Sequence, residues 1–261
     1  MRFLPTLFLG LLPLLLPPGS PSLYEKGPDE EGLHEEALEV LPPAAVRVRW
    51  FRLEVADPAE GERDVPLGLL RWVSGHDAGR GELFTELEWT LFEPRTRITH
   101  VETLEEGERK LVFRERRPRS GRTLVVAGNP RAGYRSVETT GGDLFRRELA
   151  EAGQLSLLLL EAARQGLELP ARSRLFEPLS GTFQTRYPRV EEAPDGLRTL
   201  RLYDAEGRTR ARHRFQGTEP VELRFSEEGP RALAVSRREY ERLLRVYESQ
   251  DPDADPDAEG R

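Results

Sequence analysis

The chain has 261 residues, no cysteine, a formal charge of −7 and charged side chains at 33% of its positions. The missing cysteine excludes disulfides, thiol nucleophiles, cysteine-ligated zinc and a lipidated amino-terminal cysteine. The length suffices for one large domain or two small ones with a sizeable core, and one domain is the preferred reading.

Residues 1–22 read as a secretory leader: Arg2 and the free amine supply the positive start, Phe3 to Leu16 the apolar run, and Ser20 and Ser22 the small residues before a cut at Leu23. The run is about 14 residues, whereas a membrane-spanning helix needs roughly 20. The expectation is an exported protein, periplasmic or extracellular in a bacterium, without a transmembrane anchor once the leader is cut. Residues 24–45 carry a net −6 and residues 251–261 a net −4, so with Arg2 counted residues 46–250 hold +2. Acidity therefore belongs to an expected linker at 23–45 and an expected disordered tail at 251–261, flanking one β-rich domain at 46–250. Lys26 and Lys110 are the only lysines among 39 basic residues, which codon usage in a GC-rich genome explains as well as any binding need.

From Ala45 onward the apolar period is two, interrupted by turn residues, which predicts antiparallel strands with one buried face. Val46, Val48 and Trp50 share one phase and Phe51, Leu53 and Val55 the other, so a bulge or bend is expected at Trp50 and Phe51. Leu69 to Ser74 and Leu83 to Glu93 predict a hairpin joined by Gly75, Gly79 and Gly81, with Leu83, Leu87, Trp89 and Leu91 facing the core. Strands follow at 95–104, 110–117, 122–127 and 134–139. Asp143 is placed as the cap of a short helix.

Gln154 to Gln165 predicts the clearest helix, ended by Gly166. Leu155, Leu157, Leu158, Leu159, Leu160, Ala162 and Ala163 cover more than one of its faces, and a helix apolar nearly all round is a buried one. The concave side of a curved sheet is the simplest place to bury it. Strands resume at 172–177, 182–190, 197–204, 208–215, 221–226 and 232–235. Ser236 then caps a last helix over 237–248, with Tyr240, Leu243, Leu244 and Tyr247 on one side, expected on the sheet edge.

No constellation identifies a catalyst, and no catalytic, cofactor or metal residue is assigned. His76-Asp77 sits in the expected glycine-rich turn, where adjacent residues rarely act as base and orienter. No Gly-x-Ser-x-Gly elbow is present, and Ser180 lies in the turn sequence Pro-Leu-Ser-Gly. His34, His76, His100 and His213 lack zinc spacing. Asp251, Asp253, Asp255 and Asp257 echo a calcium loop, but Pro256 replaces the needed glycine and no glutamate holds the twelfth position. Arg208, Arg210, Arg212 and Arg214 put four guanidinium groups on one face of a strand, as for a phosphate or anionic-lipid ladder. Cross-strand pairing explains much of that row: a turn at 217–219 sets Arg214 opposite Glu222, Phe215 opposite Val221 and His213 opposite Leu223. Nucleic acid is not an expected partner, because no aromatic platform interleaves the arginines.

The order of strand meander, Leu-Leu-Leu-Leu-Glu-Ala-Ala-Arg-Gln-Gly helix, Leu-Phe-Glu-Pro-Leu-Ser-Gly and further strands, with Tyr203-Asp204-Ala205-Glu206-Gly207 as a hairpin turn, resembles LolA/LolB-like periplasmic half-barrels and their uncharacterised relatives over about residues 46–235. The resemblance implies a curved antiparallel sheet, or half-barrel, wrapping an apolar helix, with a C-terminal helix. It also implies an apolar cavity for acyl chains. Trp72, Trp89, Leu158 and Leu159 are the wall residues expected for it. The leading expectation is a noncatalytic envelope protein holding a lipid or apolar small molecule. A filled core serving an envelope protein partner is the alternative, and a hydrolase the distant third.

Overall fold

The structure is a computed structural model that describes residues 45–55, 66–77, 82–105, 108–118, 120–129, 133–149, 154–227 and 229–249. The expected leader, most of the expected linker, and the acidic tail lie outside these residues, as do Gly79 and Gly81. Eight strands come first: β1 (Arg47–Glu54), β2 (Gly68–Asp77), β3 (Glu82–Leu91), β4 (Thr96–Glu105), β5 (Glu108–Arg117), β6 (Ser120–Asn129), β7 (Gly133–Thr140) and β8 (Asp143–Leu149). A two-residue strand, β9 (Gln154–Leu155), leads into helix α1 (Ser156–Gln165). Six strands follow, β10 (Ser173–Glu177), β11 (Thr182–Glu192), β12 (Leu197–Tyr203), β13 (Thr209–Gln216), β14 (Glu219–Arg224) and β15 (Arg231–Val235), and helix α2 (Arg237–Ser249) ends the described chain.

All strands belong to one curved, unclosed sheet. Its order runs from β8 back to β1, then from β15 back to β9. Two meanders thus meet where β1 pairs with β15, and β8 and β9 are the outermost strands among the described residues. Every pairing is antiparallel except the short β9–β10 contact.

Helix α1 occupies the hollow, and its leucine run has a direct physical reason. Leu157, Leu159, Leu160 and Ala163 join a core cluster with Phe51, Leu70, Trp72, Leu87 and Phe215. Leu158 and Ala162 join a second cluster with Leu111, Leu124, Tyr134, Phe176 and Phe183. Because different faces of α1 meet different core clusters, all of them must be apolar. Each buried leucine contributes about 1.5–3 kcal/mol.

Four expectations are corrected. The register of β1 with β2 runs unbroken from Arg47 to Leu53, so there is no bulge at Trp50 and Phe51. Arg49, Phe51 and Leu53 point inward, Val46 and Val48 are exposed, and outward-facing Trp50 packs on Tyr240 of α2 with ring centroids 4.7 Å apart. The apolar phase changes because a helix covers the outer face at that point. For the same reason α2 does not lie on the sheet edge: it packs on β1 and β2, in the middle of the strand order.

Asp143 begins strand β8 rather than capping a helix, since Gly141 and Gly142, both at positive φ, make the two-residue turn that folds β8 back on β7. Gly75 and His76 lie inside β2, paired with Phe84 and Leu83, rather than in the turn. Gly75 is needed for close approach, because a Cβ there would sit 2.6 Å from the Cα of Val46. The cap of α2 stands as expected, Ser236 Oγ accepting from Glu239 N at 3.2 Å.

Candidate functional site

The four expected wall residues are packed into the core. Trp72 is 0% exposed, donates from its indole nitrogen to Thr85 Oγ1 at 2.9 Å, and carries the Arg49 guanidinium 5.4 Å from its ring centroid. Trp89 is partly buried, packs against the same cluster as Trp72, and meets Phe225 at 5.0 Å. Leu158 and Leu159, about 100° apart around α1, belong to different clusters. Trp72, Trp89 and Leu159 are therefore brought together and Leu158 is not. A ligand pocket ordinarily holds about 300 Å³ or more. Two depressions stand out among the described residues, one of about 10 Å³ beside Ser136, Phe145 and Gly181 and one of about 70 Å³ beside Arg201, Arg212 and Arg224. Neither is lined by the four residues.

The interior instead shows how α1 is held. Glu102 of β4 is 0% exposed. Its Oε2 accepts the amides of Leu157 and Leu158 at 2.8 and 3.0 Å, and its Oε1 accepts the Ser156 hydroxyl at 3.3 Å. No side chain of the helix itself caps this end. A carboxylate from the sheet thus satisfies the first-turn donors and neutralises the positive helix end. At the other end Arg198 of β12 donates to the carbonyls of Ala163 at 3.3 Å, Arg164 at 2.8 Å and Gly217 at 2.7 Å. The two anchors match the helix dipole in sign.

Further charges pin the same C-terminal end. Glu161 and Arg164 form a buried two-bond pair at 2.5 and 2.9 Å, and Arg164 Nη1 donates to Thr218 O at 3.1 Å. Arg49 donates to Glu219 at 3.0 Å and Ser74 at 3.2 Å. Burial pushes the Glu219 carboxyl up, but hydrogen bonds from Arg49 and Arg47 bring it below the ordinary carboxylate range.

One group of side chains has the composition of a hydrolytic triad without its order. His100 Nε2 lies 2.8 Å from Glu102 Oε1, outside hydrogen-bonding angle, and Ser156 bonds the same carboxylate. In a working triad the histidine stands between hydroxyl and acid to take the proton. Here Glu102 stands between them and is committed to helix amides. His213 is buried beside Phe225, with ring centroids 5.1 Å apart, and burial drives its pKa down to about 3. It is neutral at pH 7, with no partner for Nδ1 among the described residues.

Among the described residues no group of three or more His, Asp or Glu side chains is placed to hold a metal, and the aspartates of the tail lie outside those residues. No described helix is long and apolar enough to cross a membrane.

The arginines of β13 and its preceding turn are paired with acids. Asp204 accepts from Arg208 Nε at 2.9 Å and Arg210 Nε at 2.8 Å, while Glu222 accepts from Arg212 at 2.8 Å and Arg214 at 3.1 Å. Burial pushes the Asp204 carboxyl up, but the backbone and side chain of Arg208 and the side chain of Arg210 bring it down to about 2. The pairings Arg214–Glu222 and His213–Leu223 are as expected, whereas a register shift sets Phe215 opposite Pro220 rather than Val221.

Sequence reasoning missed Glu102 and Arg198. The available signal was phase: Glu102 alternates with buried His100, and Arg198 precedes Leu200 and Leu202 at the inward-facing spacing.

These features define one curved, unclosed antiparallel sheet with a helix packed in its hollow. No protein-family model matches the chain, and no curated protein matches it. Among solved structures it is similar to the β-barrel-like protein of the domain of unknown function DUF1849 from Brucella abortus, at 11% identity and a TM-score of 0.46, covering 74% of this chain and 97% of that one.

Proposed function

We propose that the chain is a noncatalytic, exported bacterial envelope protein whose curved sheet is a rigid scaffold that binds through its surface. The observation that carries this reading is the packed interior: α1 lies in the hollow between two core clusters, and Glu102 and Arg198 fasten both its ends. The exported address rests on residues 1–22 and the missing cysteine.

The lipid-carrier reading suggested by the LolA/LolB resemblance is the second. The edge of β8, which no described strand covers and where Phe145 is 49% exposed beside the smaller depression, supports it as a point of entry.

The test is mass spectrometry of organic extracts of the protein purified from its native envelope. The scaffold reading expects no lipid in fixed proportion to protein. A reproducible lipid near one per chain would overturn it and establish the carrier.

A further inference from the structure

Strand register on the outer face creates a row of charge that runs across the strands. Arg189 of β11 stands opposite Arg201 of β12, Arg201 opposite Arg212 of β13, Arg212 opposite Arg224 of β14, and Arg224 opposite Arg231 of β15. Five arginines on five neighbouring strands thus form one continuous ladder. With strands about 4.8 Å apart, it extends about 19 Å.

Like charges directly opposite one another destabilise a sheet. The row therefore works against folding unless it is neutralised, and the protein's own acids do so unevenly. Arg201 pairs with Glu191 at 3.2 Å, Arg212 with Glu222 at 2.8 Å and Arg231 with Glu54 at 3.1 Å. Arg189 lies over the Tyr203 ring at 5.5 Å, and Arg224 donates to the Glu227 carbonyl. Glu222 also serves Arg214, and Glu54 also serves Arg52. The Nε atoms of Arg212 and Arg231 are buried without a partner among the described residues. Arg201, Arg212 and Arg224 meet at the depression of about 70 Å³, with Thr209 and Ser226 beside them and Glu227 also lining it. This space suits one anionic group of a longer ligand and is too small for an enclosed organic molecule.

We propose that this ladder binds a soluble, linear polyanion whose repeating charged group is phosphate. A phosphate group carries several strong acceptor oxygens and suits the planar donor fork of arginine, so neighbouring guanidinium groups can share one. The twist of the sheet selects the form of ligand. At about 20–25° per strand, four steps rotate the direction in which the arginines project by roughly 80–100° about the line of the row. A flat bilayer would meet only some of them, while a flexible chain can wind past all five. The proposal deepens the scaffold reading by naming a ligand class for the outer face. Its failure would leave the lipid-extraction result untouched, so the two stand or fall separately.

The experiment is calorimetric titration of the full chain with tripolyphosphate and long-chain inorganic polyphosphate, in parallel with co-sedimentation on phosphatidylglycerol vesicles. Long-chain polyphosphate is expected to bind more tightly than tripolyphosphate. Affinity should fall as sodium chloride rises from about 50 to 300 mM, because the contacts are exposed and screened. The triple variant Arg201→Gln, Arg212→Gln, Arg224→Gln should weaken binding at least tenfold. Arg237→Gln, whose arginine pairs with Glu241 on α2, should leave it unchanged. Near-UV circular dichroism checks the fold of the triple variant; should it misfold, the single variants Arg189→Gln and Arg201→Gln read the same loss, at about threefold or more each. No binding to polyphosphate, or equal binding by wild type and ladder variants, would overturn the proposal. Ladder-dependent binding to vesicles alone would overturn it too, by assigning the row to a membrane surface.

Discussion

Replacing Glu102 by alanine should destabilise the domain more than any exposed ion pair does, because one buried carboxylate holds the first turn of the buried helix. Two backbone amides, at 2.8 and 3.0 Å, lose their acceptor. Each buried donor left unpaired costs about 1–3 kcal/mol. The lost charge at the helix end adds up to about 1 kcal/mol, giving an expected loss of about 2–7 kcal/mol. For a domain of this size that lowers the melting temperature by roughly 4–28 °C. Glu102→Gln keeps one carbonyl oxygen as acceptor and gives up the charge, so it should lose about half as much. Urea unfolding followed by tryptophan fluorescence gives both free energies, with an unchanged m-value confirming that the unfolded states compare. The reasoning fails if alanine costs under about 1 kcal/mol, or if glutamine is as damaging as alanine, since either result would mean that the carboxylate does not hold α1.

At the other end of α1, Arg198→Ala should cost about 1.5–3 kcal/mol by urea unfolding, and Arg198→Lys should restore only part of it, because an ammonium lacks the planar fork that meets three carbonyls. Asp204, depressed to about 2 in the folded chain, contributes stability that is fully present above its unfolded value of 3.8 and is lost as pH falls through about 2. The melting temperatures of wild type and Asp204→Asn should therefore converge between pH 4 and 2; a constant gap would remove Asp204 from the pairing. His213 works over a different range: the unfolded imidazole takes a proton near pH 6.5 that the buried one refuses until about pH 3, so stability falls as pH drops through that window. His213→Phe should flatten the melting-temperature profile between pH 6.5 and 4, and an unaltered slope would show that the folded histidine titrates normally.

The strand pattern was legible because one face of most strands is buried and the other wet, and α1 was legible because it is buried all round. Where a second layer covers the outer face, the alternation gives a different answer. At β1 the change of phase was real, but Trp50 turns outward beneath α2, and no feature of 46–55 alone says that a helix 190 residues later will cover it. Residues 143–149 misled for the opposite reason. Six of the seven are exposed, so β8 carries almost no buried-face signal, and only the Gly141-Gly142 turn marks it as the return strand of a hairpin.

Charged residues divide by how much register is needed to place them. Arg214 opposite Glu222 follows from a single short turn, and the pairing tolerated the shift that moved Phe215 onto Pro220. Glu102 and Arg198 are visible as charges in an inward phase, yet their task requires knowing that α1 lies across both β4 and β12. The ladder from Arg189 to Arg231 depends on four successive registers, and a one-residue slip in any of them would turn one arginine to the other face and break the row. The row sets like charges side by side, and Glu191, Glu222 and Glu54 offset that repulsion only in part, because Glu222 and Glu54 are each shared with a further arginine.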